Sequence, residues 1–81
     1  MNVRVLFFGP LVDVTGGAAV EMTLPDSAPV QSLLEALFLK WPALRAWDAN
    51  ILIAVNLAYA ARGDVIPPGA EVAIMPPVQG G

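Results

Sequence analysis

Very few side chains in this sequence of 81 residues can do chemistry. There is no cysteine, which removes disulfides, zinc-thiolate sites and any thiol nucleophile. There is no histidine either, the commonest general base and metal ligand, and no metal site is expected. A catalyst would have to work through carboxylates, through Lys40 as the only lysine, or through Ser27 and Ser32, which stand near a helix start with no base in view. A free-standing enzyme is therefore disfavoured. What remains is the end of the chain. Gly80 and Gly81 carry no side chains, so a carboxylate at Gly81 could enter a channel too narrow for any Cβ and adopt backbone angles closed to other residues.

The residues ahead of the diglycine prepare it mechanically. Pro76 and Pro77 cannot donate to a sheet ladder, so a strand reaching them must stop at Met75. They also favour an extended backbone, and the run Pro76-Pro77-Val78-Gln79-Gly80-Gly81 can reach on the order of 20 Å. Two terminal glycines coincide by chance about once in 200 sequences. The dipeptide therefore gains weight only beside the proline pair and the body that carries it.

That body is expected to be one domain, residues 1–81, and a chain so small buries only about 60% of its unfolded surface. Residues 3–9 alternate as a strand, with Val3, Val5 and Phe7 on one face and Arg4, Leu6 and Phe8 on the other. Gly9-Pro10 stops it, a loop holding Gly16-Gly17 follows, and residues 19–24 alternate again with Val20, Met22 and Leu24 inward. These two strands form an antiparallel hairpin with a long loop. Val30, Leu33, Leu34, Leu37 and Trp41 make one apolar stripe at helical period, with Gln31, Glu35 and Lys40 on the wet side. Ser27 or Ala28 stands near the cap, Pro29 suits the first turn, and Pro42 ends the helix near Lys40. Phe38 and Leu39 lie off the stripe. Residues 51–56 read as a strand buried on both faces in mid-sheet. A minor strand is expected around Tyr59, and residues 71–75 form the last strand, with Val72 and Ile74 inside and Ala73 and Met75 outside. The last two long strands can pair with the first. The fold class is α+β, a mixed sheet of four to five strands packed on one main helix.

Composition narrows the partners. Apolar residues make up 57% and charged residues 14%, against roughly 25% charged in an average domain. Either the core is unusually rich or some apolar surface is kept for a partner. The net charge is −3 and Arg4, Lys40, Arg45 and Arg62 are scattered, so nucleic acid is not expected as a ligand. No run approaches the ~18 apolar residues of a membrane span. The first residues lead straight into a strand pattern without a signal-peptide layout, so a cytoplasmic protein is expected.

Ala54-Val55-Asn56-Leu57-Ala58-Tyr59 and the run Pro68-Gly69-Ala70-Glu71-Val72-Ala73-Ile74-Met75-Pro76-Pro77-Val78-Gln79-Gly80-Gly81 resemble the small subunit of molybdopterin synthase, the MoaD family. Residues 5–8 and the helix leading to Trp41-Pro42 fit the same pattern, and the Pro-Pro-Val-x-Gly-Gly ending is its most specific part. Ala70 stands where the family usually has aspartate, and Pro29 where a threonine often caps the helix.

The resemblance implies a ubiquitin-like β-grasp fold and a sulfur carrier. An adenylating, MoeB-like activating enzyme would place ATP-derived AMP transiently on Gly81, and a sulfur donor would displace it to leave a thiocarboxylate. No permanently bound cofactor is implied. The MoaE-like large subunit would receive the tail, Gly80 allowing the slim approach, and use two carriers' sulfurs to turn cyclic pyranopterin monophosphate into molybdopterin. A heterotetramer of two small and two large subunits is implied. Phe8, Met75 and Leu6 on the outer sheet face, with Pro76, Pro77, Val78 and Gln79 of the tail, are the expected contacts with both partners. Three other readings stand beside this one: a thiamine-pathway sulfur carrier, a ubiquitin-like protein modifier, and an interaction module with an inert tail.

Overall fold

The computed structural model of the chain describes residues 1–77. The alternating segments become strands where expected: β1 spans Asn2–Phe7 and β2 spans Ala19–Thr23, paired antiparallel with Val5 opposite Val20. β3 (Leu52–Val55), β4 (Ala58–Tyr59) and β5 (Glu71–Met75) complete a five-stranded mixed sheet in the order β2-β1-β5-β3-β4. β5 runs parallel to β1 and antiparallel to β3. One face of this sheet is covered by a helix, which is the β-grasp arrangement expected from the sequence.

That helix is the second in the chain and follows a short one. The first, α1, spans Leu11–Thr15, and the main helix, α2, spans Val30–Lys40. The apolar stripe of α2 faces the sheet as its spacing requires, and Val30, Leu33, Leu34 and Leu37 are fully buried against Val3, Val5, Val72 and Ile74. Trp41 closes the stripe edge-on to Phe7, their ring centroids 5.5 Å apart. Pro42 then diverts the chain into a 3₁₀ segment, Pro42–Trp47.

Several local expectations change. Residues 9–18 are not only a loop, because α1 sits there between Pro10 and the left-handed Gly16 (φ 77°), whose N–H donates to the Val12 carbonyl at 2.8 Å. Its Leu11 is fully buried and joins the core. Pro29 is the cap residue and not part of the first turn, with extended angles of φ −77° and ψ 163°, and no side chain caps α2. The free N–H groups of the first turn are satisfied by the returning loop instead: Val30 donates to the Asp64 carbonyl at 2.9 Å and Gln31 to that of Arg62 at 2.8 Å. Arg62 is held in place by Asp48, its Nη1 donating to Oδ1 at 2.5 Å and its Nη2 to the backbone carbonyl.

The run at 51–56 is the largest correction. It lies inside the sheet, between β5 and β4, but is not buried on both faces. Only Ile51 and Ile53 are buried, whereas Leu52 and Ala54 look out from a sheet with no second layer on that side. β5 takes the central place, and β3 pairs with it and with β4, not with β1.

The two residues without a place on the helical stripe separate cleanly. Phe38 is buried under the 3₁₀ segment, beside Leu44 and with the Arg45 guanidinium 5.3 Å from its ring centroid, while Leu39 is 78% exposed. Truncating a buried phenylalanine costs about 3–5 kcal/mol. A domain of this size holds only about 4–12 kcal/mol in total. Phe38→Ala is therefore expected to lower the thermal midpoint by about 15 °C or more, with Leu39→Ala within a few degrees of wild type; thermal denaturation followed by circular dichroism checks both.

Candidate functional site

The uncovered face of the sheet is divided by its register. One row crosses all five strands as Ala19, Leu6, Ala73, Ala54 and Tyr59. The neighbouring row is polar: Glu21 lies opposite Arg4, Arg4 beside Glu71, and the Glu71 backbone N–H donates to Asn56 Oδ1 at 3.0 Å. Because a strand turns alternate residues to one face, the apolar row continues only towards the Met75 end of β5, where the chain leaves for Pro76.

At that end the face is hollow. Ala73 and Ala54 have only methyl groups to fill the middle of the sheet, and the large side chains of Phe8, Leu57, Tyr59 and Met75 stand around them. The result is an open apolar dish of about 320 Å³. Phe8 is 45% exposed, Tyr59 75% and Leu57 94%, although each is large and apolar. Apolar groups left in water at one place, with no layer above them, mark a surface that a partner covers.

Leu57 carries the strongest local signal. The two residues between β3 and β4 are Asn56 and Leu57, with φ of 49° and 71°. A two-residue hairpin loop of this handedness asks for left-handed backbone at both positions, which suits asparagine followed by glycine. Leucine there costs roughly 1–2 kcal/mol. Asn56 is locked by its ties to β5, its N–H donating to the Glu71 carbonyl at 2.9 Å in addition to the side-chain bond. The turn thus holds a strained leucine up in solvent at the lip of the dish. Strain kept at an exposed apolar residue points to use and not to folding. Leu57→Gly is expected to raise the thermal midpoint by about 4–8 °C while weakening partner binding, a pairing that calorimetry and titration of the same protein can check.

Of the residues singled out from the sequence, Phe8 and Met75 line the dish. Pro76 and Pro77 follow it directly and are half-buried. Leu6 is half-buried at the head of the apolar row and does not line the hollow. Val78, Gln79, Gly80 and Gly81 lie outside the described residues. The dish itself, with Leu57, Tyr59, Ala54 and Ala73, went unremarked in the sequence. Its one readable sign was Asn56-Leu57 between two apolar runs, a turn pair with leucine in a glycine place.

A family model described as the ThiS family matches residues 5–81. The chain belongs to this family. Among its relatives, the molybdopterin synthase sulfur carrier subunit of Chlamydomonas reinhardtii is 32% identical, and the alignment covers 100% of each chain. Two solved structures agree with the fold of this ThiS-family chain. A putative molybdopterin converting factor subunit 1 from Pyrococcus furiosus superposes with a TM-score of 0.88 at 27% identity, covering 96% of this chain and 99% of that one. SAMP1 from Haloferax volcanii gives 0.86 at 31% identity, with 100% of both chains covered.

Proposed function

We propose that this chain is the sulfur-carrying small subunit of a molybdopterin synthase, with Gly81 as the atom carrier. One observation supports the reading above the others: the apolar dish lies at the end of β5, and the same strand runs directly into Pro76, Pro77 and the diglycine. A partner seated on the dish has the tail delivered to it.

The chemistry follows from the carboxylate. A carboxylate resists substitution because the oxygen that would leave is a poor leaving group. One oxygen of Gly81 attacks the α-phosphorus of ATP, pyrophosphate leaves, and the acyl group becomes a mixed anhydride with AMP. Hydrosulfide released by a donor then attacks the acyl carbon, AMP departs and the sulfur loses its proton, leaving a thiocarboxylate. No cysteine in this chain is needed, because the sulfur rides on the acyl carbon. The acids and bases for both steps come from partners, in keeping with a chain that has no histidine. The MoeB-like activating enzyme and the MoaE-like large subunit would use the same dish and therefore bind in turn. AMP is the only cofactor fragment involved, held transiently on Gly81. The need for ATP supports a cytoplasmic setting. Among the described residues no helix is long and apolar enough to cross a membrane.

The test is a reconstitution. Thiocarboxylated chain, the large subunit and cyclic pyranopterin monophosphate should yield the dithiolene with two carriers consumed per product. No product, under conditions in which an established carrier reacts, would overturn the assignment. The likeness to SAMP1 supports a second reading, a tail joined to lysine amines. An amide-linked adduct formed in place of the dithiolene would favour it.

A further inference from the structure

We infer that Met75 is a reversible oxidation site whose sulfoxide bars the partner from the dish; this rests on the docking role given to the dish above. The chain has three methionines and no cysteine, so methionine carries all of its side-chain sulfur. All three are half-buried, but on different faces of the sheet. Met1 and Met22 pack against the core, Met22 standing opposite the buried Val3 of β1. Met75 points the other way and lines the open dish, within reach of a small oxidant.

The chemistry needs only a peroxide. The thioether sulfur gives an electron pair to one peroxide oxygen, the O–O bond breaks, and the other oxygen leaves as water once the proton on the new S–O group has been passed to it. Sulfur is oxidised by two electrons and the peroxide is reduced. A methionine sulfoxide reductase reverses the step, removing the oxygen as water while a dithiol becomes a disulfide.

The surroundings of Met75 decide what the added oxygen does. On its own face it has Ala73 two residues back on β5, Leu52 opposite on β3, and Phe8, which lines the dish with it. None of these has a side-chain donor. Tyr59, the one dish residue with a hydroxyl, stands opposite Ala54, one strand further and one row away. In the free chain the sulfoxide oxygen is hydrated and disturbs the fold little. Beneath a partner it becomes a polar acceptor without a donor, in a hollow that would otherwise be filled by apolar contact. Met22 is the contrast. Its side chain is turned to the core, so a sulfoxide there lowers the thermal midpoint and leaves the dish unchanged.

The experiment treats the chain, in its carboxylate form, with hydrogen peroxide. Peptide mass mapping locates the sulfoxides, isothermal titration gives the affinity for the large subunit, and circular dichroism confirms folding. Oxidation of the wild-type chain is expected to weaken binding about 10-fold or more, and methionine sulfoxide reductase with dithiothreitol should restore it. Met75→Leu keeps the size and apolar character of the side chain and should bind equally well before and after peroxide. Met22→Leu should remain sensitive in affinity while its thermal midpoint no longer responds to oxidation at that position. A Met75 sulfoxide that binds as well as the thioether would overturn the inference. So would a fall in affinity with Met75 unoxidised, or a Met75→Leu chain as sensitive as wild type. An untreated wild-type chain that does not bind the large subunit would instead remove the docking reading, and this inference with it.

Discussion

Deleting Gly81 is expected to leave the fold and the docking affinity intact while reducing sulfur transfer by about 1,000-fold or more. The truncated chain still ends in a carboxylate, now on Gly80, so the loss comes from geometry. Removing one residue retracts the reacting carbon by about 3.3 Å. A displacement of only 1 Å can cost about 100-fold when the attacking and leaving groups must be aligned. Docking is spared because the dish residues Phe8, Leu57, Tyr59 and Met75 belong to the folded body. Transfer rates measured at saturating large subunit, beside a binding titration, separate the two effects. A parallel fall in affinity would mean that the tail, and not the dish, supplies the docking energy.

The second large effect is expected at the floor of the dish. Ala73→Glu places a carboxylate in the middle of the apolar row, between Leu6 on one side and Ala54 on the other. The inward residues of β5, Val72 and Ile74, are untouched, so the core and the fold persist. In the complex that charge would be buried without a partner, which costs about 3–5 kcal/mol when no counter-charge is present. Affinity for the large subunit should fall at least about 100-fold, while the intact tail keeps its rate once the partner is forced to saturation. Isothermal titration gives the first quantity and transfer kinetics the second. Wild-type affinity in Ala73→Glu would place the docking surface elsewhere.

The parts of this molecule legible in the sequence are those set by local periodicity. Val3, Val5 and Phe7 alternate, Val30 to Trp41 repeat at helical spacing, and Pro42 and Pro76 stop their elements by steric rule, so those elements stand where the residues put them. α1 was hidden because its five residues are too few to show a period, although Pro10 and Gly16 frame it. The run at 51–56 misled for a physical reason. An all-apolar strand can mean burial on both faces or an apolar face held open for a partner, and composition does not distinguish them. Apart from the Asn56-Leu57 turn pair, the dish is not legible before the strand order is known. Ala54 and Ala73 are 19 positions apart in the sequence and meet only because β3 pairs with β5. The expectation placed on Gly80 and Gly81 came from the sequence alone, and both lie outside the described residues.

The central claim is that Gly81 carries sulfur, and the absence of cysteine makes it directly measurable. The chain is incubated with the activating enzyme, ATP and a sulfide source, treated with a thiol-alkylating reagent, and fragmented in a mass spectrometer. Mass alone is ambiguous, because exchanging oxygen for sulfur nearly matches oxidation of Met1, Met22 or Met75. Alkylation resolves this, as no other thiol exists in the chain to react. The account predicts a single label on Gly81 that depends on ATP. An unlabelled chain, while an established carrier in the same mixture is labelled, would contradict it.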